Sequence, residues 1–326
     1  MRRREFISGL TAAAMWPLAA RAQQPRTPVV GLLNGVAFEG PYASAIASIR
    51  RGLQETGLVE GQDFAIEYRA AGGRYERLPD LAADLVRSHV AVIVAIGASM
   101  PALADAASST PIVFALGSDA VEVGVLNGLN RPEASMTGAN FASAGPASER
   151  LALLLELRPG APLVGYLDNS RLSATFEINV ENLTTAARLR GRDLVVFDAG
   201  TDQEIETAFT QMALQRVRAL IISPDPFLTA RQEQIIAFAA QTRLATIYPT
   251  RGAVMLGGLM SYGAVTNDMY RAAGIYAGRI LKGATPAELP IMLPTRFELV
   301  INNKTASALR IPVPRRLIAR ADEIID

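Results

Sequence analysis

The sequence predicts an α/β protein of two lobes, each a parallel sheet flanked by helices, and three observations carry that prediction. Short, continuous apolar runs alternate with helical stretches, the pattern of strands buried on both faces. The alternation runs once through the first 140 residues and restarts near Pro146. The length of 326 residues, half of them hydrophobic and 19% charged, suits two domains and supplies enough apolar material for their cores.

Taken in order, Val29–Leu33 reads as the first strand, closed by Asn34-Gly35 and followed by a helix with Tyr42, Ile46, Ile49 and Leu53 on one face. Phe64–Tyr68 is the next strand, then a helix carrying Leu78, Leu81 and Leu85, a strand over Val90–Ile96, a helix from Met100, and a strand over Ile112–Leu116. The second round opens with a helix carrying Leu151, Leu154 and Leu157, then a strand Leu163–Leu167, a helix Ser173–Leu189 and a strand Leu194–Phe197. Thr201 with Glu204 offers a capping box for the helix that follows. Strands Ala219–Ile222 and Ala245–Tyr248 flank a helix over Phe227–Gln241. Beyond them, Gly252–Gly263 has glycine-rich strand character, Val265–Leu281 is helical and Phe297–Ile301 is a strand. The expected lobes are residues 28–141 with about 262–290, and 142–261 with about 291–326. The chain is expected to cross between them near 140–145, 257–263 and 289–295.

Residues 1–22 have the three parts of a secretory signal peptide: Arg2, Arg3 and Arg4, an apolar run from about Ile7 to Ala20, and the small-residue site Ala20-Arg21-Ala22. The apolar run falls short of the roughly 20 residues that span a bilayer. Arg3-Arg4-Glu5-Phe6-Ile7 resembles the twin-arginine export motif, with an ordinary Arg-rich leader as the alternative. Cleavage is expected after about Ala22.

Composition removes much chemistry. With no cysteine there is no disulfide, thiolate catalysis, Cys-ligated zinc or iron–sulfur cluster. The single histidine, His89, falls between a helix end and a strand start and reads as a helix-terminal residue. No catalytic residue, metal site or cofactor is assigned: GxGxxG, P-loop, HExxH and GxSxG motifs are all missing. The balance of 32 basic against 31 acidic residues gives no excess to draw nucleic acid.

In an open parallel sheet, ligands bind beyond the carboxyl ends of the strands, where helix N-termini and free N–H groups converge. Those ends carry Asn34 and Phe38, then Gly97, Ala98 and Ser99, then Gly117, Ser118 and Asp119 in the first half. In the second half they carry Asn169 in Asp168-Asn169-Ser170, then Asp225 and Phe227 in Ser223–Phe227, then Tyr248, with Ser261 and Tyr262 at a turn. These are the candidate ligand-binding residues, suited to a polar small molecule. Each has a plainer reading: Ser99, Ser118, Asn169 and Asp225 as helix caps, the tyrosines as rim or core, and Ser261-Tyr262-Gly263 as a hinge turn.

Segments along the whole chain after the leader resemble the tryptophan/urea-type substrate-binding proteins of ABC transporters in proteobacteria. They include Gly57-Leu58-Val59-Glu60-Gly61, Gly73-Arg74-Tyr75-Glu76-Arg77-Leu78-Pro79, Asp225-Pro226-Phe227, Gly258-Leu259-Met260-Ser261-Tyr262-Gly263 and Phe297-Glu298-Leu299-Val300-Ile301-Asn302. The resemblance implies a type I periplasmic-binding-protein fold, two Rossmann-like lobes on a three-crossover hinge. It also implies delivery of the ligand to an ABC permease and its ATPase; with the leader the protein is expected in the periplasm, and a monomer is expected. Asp168-Asn169-Ser170-Arg171-Leu172 departs from the family's Asn/Pro-rich loop, so that loop's contacts do not carry over.

The expected function is thus a receptor for a small amphiphile, an amino acid or aromatic carboxylate. In it Ser99 and Ser118 hold a carboxylate, Asp119 or Asp225 an ammonium, and Phe38, Phe227 and Tyr262 the apolar part. The alternatives are a sensor subunit for a membrane receptor and, on the same scaffold, an enzyme. A repressor would need a DNA-binding N-terminus where the leader stands.

Overall fold

The computed structural model describes residues 27–99, 102–103, 110–117, 135–141, 145–171 and 176–326. The leader, most of the helix expected from Met100, and the candidates Ser118 and Asp119 lie outside the described residues.

The first lobe is a parallel sheet of β1 (Val29–Asn34), β2 (Ala65–Ala70), β3 (Val92–Ile96), β4 (Ile112–Leu116) and β5 (Met136–Asn140), in the order β2-β1-β3-β4-β5. Helix α1 (Ala43–Glu55) covers one face, where Ile46, Ile49 and Leu53 meet Val30 and Leu32. Helix α2 (Leu78–Arg87) covers the other with Ala82 and Leu85 against Leu33 and Ile93. His89 follows α2 with φ 53°, the left-handed turn that ends it, and its N–H donates to Val86 O at 3.1 Å. Strand β5 is not foreseen from sequence, because Thr137, Gly138 and Asn140 interrupt its apolar run. It forms by pairing with β4, whose backbone lies so close that a Cβ on Gly138 would come 2.1 Å from Phe114 O.

The second lobe holds α3 (Gly145–Leu157), β6 (Leu163–Asp168), α4 (Phe176–Arg188), β7 (Asp193–Asp198), α5 (Asp202–Leu214) and β8 (Ala219–Ile222). These are followed by α6 (Pro226–Ala230), α7 (Gln232–Thr242), β9 (Ala245–Tyr248), α8 (Arg251–Met255) and β10 (Met260–Ala264). The chain then makes α9 (Thr266–Leu281), β11 (Phe297–Asn302), α10 (Asn303–Leu309), α11 (Arg315–Arg320) and β12 (Glu323–Ile325). The sheet order is β12-β11-β10-β9-β8-β6-β7, with β11 antiparallel to β10. Helices α3 and α4 lie on one face, while α5, α6 and α7 lie on the other.

Three sequence expectations are corrected here. The helix over Phe227–Gln241 is two, α6 and α7, broken at Arg231, whose guanidinium lies 5.2 Å over the Phe227 ring and whose Nε donates to Asp202. The strand-like Gly252–Gly263 opens instead as α8, and β10 begins only at Met260. The expected capping box is half made: Thr201 Oγ1 accepts from the Glu204 N–H, but the Glu204 carboxylate turns to the Gly200 N–H at 2.8 Å and to Arg171.

The chain passes between the sheets three times. It leaves β5 for α3, leaves β10 for α9, and returns to β11 after a stretch that lines the edge of β5, where Asn140 N–H donates to Met292 O at 2.8 Å. Tyr262–Ala264, expected in the first lobe, pair instead with Leu299, Glu298 and Phe297 in the second sheet. Helix α9 belongs to the first lobe. It packs on α1 so closely that a Cβ on Gly52 would come 2.0 Å from Arg271 O, and one on Gly274 2.1 Å from Ile49 O.

Candidate functional site

The carboxyl ends of the two sheets face one another. On the first lobe, the turn Gly97–Ser99 after β3 meets the loop after β8: a Cβ on Gly97 would lie 3.0 Å from Pro226 Cγ, and one on Gly117 3.8 Å from Pro224 O. Gly97 has φ +60°, which only glycine adopts at little cost. Gly97→Val should therefore strain both the turn and the approach of the lobes, weakening ligand severalfold in a calorimetric titration. A severalfold loss of affinity together with a lowered Tm of the ligand-free chain is the expected signature.

Around this junction lie buried polar atoms without hydrogen-bond partners. Asn34, fully buried at the end of β1, leaves both amide atoms unpaired. Tyr75, whose ring would be 2.4 Å from a Cβ on Gly35, packs against core clusters of both lobes with its hydroxyl unpaired. From the second lobe come Asp168 Oδ2 at the end of β6, Ser223 Oγ after β8 and Ser261 Oγ on β10. Buried polar atoms are ordinarily paired, and this unpaired set is drawn from both lobes.

Two carboxylates sit in this set. Burial raises the Asp225 carboxyl to about 6, and the negative charge of Asp168 adds to the rise, while the Leu228 N–H, donating at 2.9 Å to Oδ1, holds it back. Burial also raises Asp168; the hydroxyls of Ser223 and Tyr166 temper the rise without reaching good hydrogen-bond geometry at Oδ2. No Arg or Lys among the described residues forms an ion pair with either. Asn169 lies beside Asp225, and its own N–H donates to Asp168 Oδ1 at 2.8 Å.

The other candidates are placed as follows. Ser99 is buried and gives its hydroxyl to backbone, 2.7 Å from Ile96 O and 3.2 Å from Leu33 O. Ala98 lies in the same turn. Phe227 and Tyr248 are packed in the second lobe's core, where they brace the strand ends. Tyr262 is half-buried and stacks on Phe297, ring centres 6.0 Å apart. Phe38 packs edge-on against Tyr68 at 5.2 Å, at the β2 edge. The loop Ser170-Arg171 is tied back, Ser170 Oγ donating to Asp198 and Arg171 to Glu204.

Sequence reading missed four residues here. Tyr75 stood at no strand end, and Ser223 stood at one, directly after β8, but was passed over for Asp225. Asp168 stood at a strand end but was passed over for its neighbour. Arg150 is buried on the sheet side of α3, and the helical spacing that runs back from Leu157 through Leu154 reaches it, which was a usable signal.

Two α/β lobes linked by three passages bring polar strand ends together between them, the architecture of small-molecule receptors. Residues 19–325 match the family described as ABC transporter substrate binding protein, and the chain belongs to that family. A tyrosine-binding protein of Clostridioides difficile is 23% identical over 261 residues, 79% of this chain and 74% of that protein. A conserved domain protein from Vibrio cholerae has the same fold with TM-score 0.84 and 24% identity, over 92% of this chain and all 100% of its own. An ABC domain from Streptococcus pneumonia in complex with L-Trp gives TM-score 0.81 and 24% identity, over 91% of this chain and 100% of its own. The fold is that of type I periplasmic binding proteins.

Proposed function

We propose that the chain is exported to the periplasm, binds an amino acid with an aromatic side chain between its lobes, and hands it to an ABC permease driven by an ATPase. The observation that carries the ligand is the junction itself. Two buried carboxylates that no cation of the described residues pairs, beside unpaired Asn34, Tyr75, Ser223 and Ser261, suit a ligand that brings an ammonium and several further hydrogen-bonding groups. The tyrosine and tryptophan named for the relatives agree with this chemistry. Tyr75 and the half-buried Tyr262 offer ring faces for the apolar part. Hinge closure about the three passages would seal the site.

The test is thermal stability of the chain from Gln23 onward, freed of carried-over ligand, against amino acids, aromatic acids, sugars, urea and polyols. A ligand that binds only the native state stabilises by roughly 2.7 kcal/mol at a hundredfold excess over its Kd. The expected result is a saturable rise with tyrosine, tryptophan or phenylalanine. A rise confined to sugars or polyols would replace the reading.

A further inference from the structure

Arg150, Asp168 and Asp225 are the charged side chains buried among the described residues. The two acids belong to the junction; the place of Arg150 follows from strand register. Ser261 pairs with Tyr248, the last residue of β9, so Tyr262 stands one step beyond that strand's end. Tyr166 aligns with Ile221, and Ile221 with Ile247, so the step beyond β9 is also the level of Asp168 and Ser223. Arg150 reaches this level from α3, the helix that receives the first passage between lobes. Its Nη1 donates to Tyr262 O at 3.3 Å, and Tyr166 and Tyr262 are the titratable groups that act on it.

Arg150 is 5% exposed, its Nε has no hydrogen-bond partner, and it makes no ion pair with a carboxylate of the described residues. Burial lowers its pKa to about 10, so it stays charged at neutral pH. A buried, unpaired charge is costly, and one weak bond to a carbonyl does not offset it. No anion of the described residues pairs with it, and an anion brought into the junction described above would. Ser99, expected to hold a ligand carboxylate, has its hydroxyl directed to backbone carbonyls.

We propose that Arg150 anchors the carboxylate of the bound ligand, opposite the Asp168–Asp225 end that receives the ammonium, so that the site selects zwitterions over amines. The proposal rests on the amino-acid reading given above. Guanidinium and carboxylate are matched for paired hydrogen bonds, which an amine cannot supply.

The experiment is calorimetric titration of the chain from Gln23 with L-tyrosine and with tyramine, which lacks only the carboxylate. The unaltered protein is expected to favour L-tyrosine by about tenfold or more. Arg150→Met should weaken L-tyrosine about ten- to a hundredfold and tyramine by less than about twofold, erasing the preference. An apolar replacement of similar length suits a buried position. Arg150→Lys keeps a charge there and should lose about tenfold on L-tyrosine alone, which carries the test even if the methionine variant does not fold. Equal weakening of both ligands in either variant, or none, overturns the proposal and leaves Arg150 a structural residue. Failure of the underlying reading shows in the unaltered protein, as no binding of tyrosine or no preference over tyramine, and takes the proposal with it.

Discussion

Asp225→Asn should lower affinity for an aromatic amino acid about ten- to a hundredfold while leaving the ligand-free protein as stable as before, or more so. The two halves of that result have separate causes. Asn is as good a helix cap as Asp, so the bond from the Leu228 N–H that opens α6 survives. The carboxylate itself is a burden to the empty protein: raised from its ordinary 3.8 to about 6, it costs on the order of 3 kcal/mol once ionised. The sign follows directly. Between pH 3.8 and about 6 the folded chain holds a proton that the unfolded chain has released, so stability falls as pH rises through that window and stays lower above it. Ligand affinity runs the other way. An ammonium needs the ionised carboxylate, so affinity should fall by about tenfold for each pH unit below 6, with a proton released on binding. Asp168, raised in the same way, shares this titration, so the pair rather than one residue sets the midpoint. Titration calorimetry in buffers of different ionisation enthalpy measures the released proton. A pH-independent affinity between 5 and 7.5 would remove both acids from the ligand.

The largest loss of stability is expected from Gly52→Val or Gly274→Val. Each places a side chain where the α1 and α9 backbones touch, with Cβ positions 2.0 Å from Arg271 O and 2.1 Å from Ile49 O. Neither obstacle is the flexible end of a side chain, so the helices themselves must separate. Overpacking of this kind costs about 3 kcal/mol, which for a chain of this length lowers Tm by roughly 5–10 °C. The double variant should cost less than the sum, since both residues open the same gap. Gly160→Ala is the control: nothing lies within 4 Å of its Cβ position, and thermal unfolding should be unchanged.

Strands β4 and β8 were legible to the residue because each is an unbroken apolar run buried on both faces, and β9 was legible with only Thr246 interrupting its run. Strand β5 was not, since Met136-Thr137-Gly138-Ala139-Asn140 owes its conformation to the β4 backbone on one side and Met292 on the other. The break at Arg231 was likewise invisible, since the Arg231 side chain is held by Asp202, 29 residues away in the sequence, which no local pattern reveals. At the site, sequence showed which positions stand at strand ends but not which way their side chains turn. Asn34 and Asp225 lie at the junction, while Phe227 and Tyr248, chosen on the same ground, turn into the core. Arg150 stands at no strand end; the spacing back from Leu157 through Leu154 puts it on the covered face of its helix, and packing shows it enclosed.

The placing of α9 has a consequence for synthesis. Helix α1 ends at Glu55 and its partner ends at Leu281, so 281 − 55 = 226 residues must be made before the first lobe can close its core. At ~5–20 residues per second that takes roughly 11–45 s, during which the apolar face of α1 stays open on the ribosome. The second lobe also waits, for β11 and β12 near the chain's end. The first lobe therefore cannot close its core until α9 has been made, and the second sheet stays incomplete until β12 has been made.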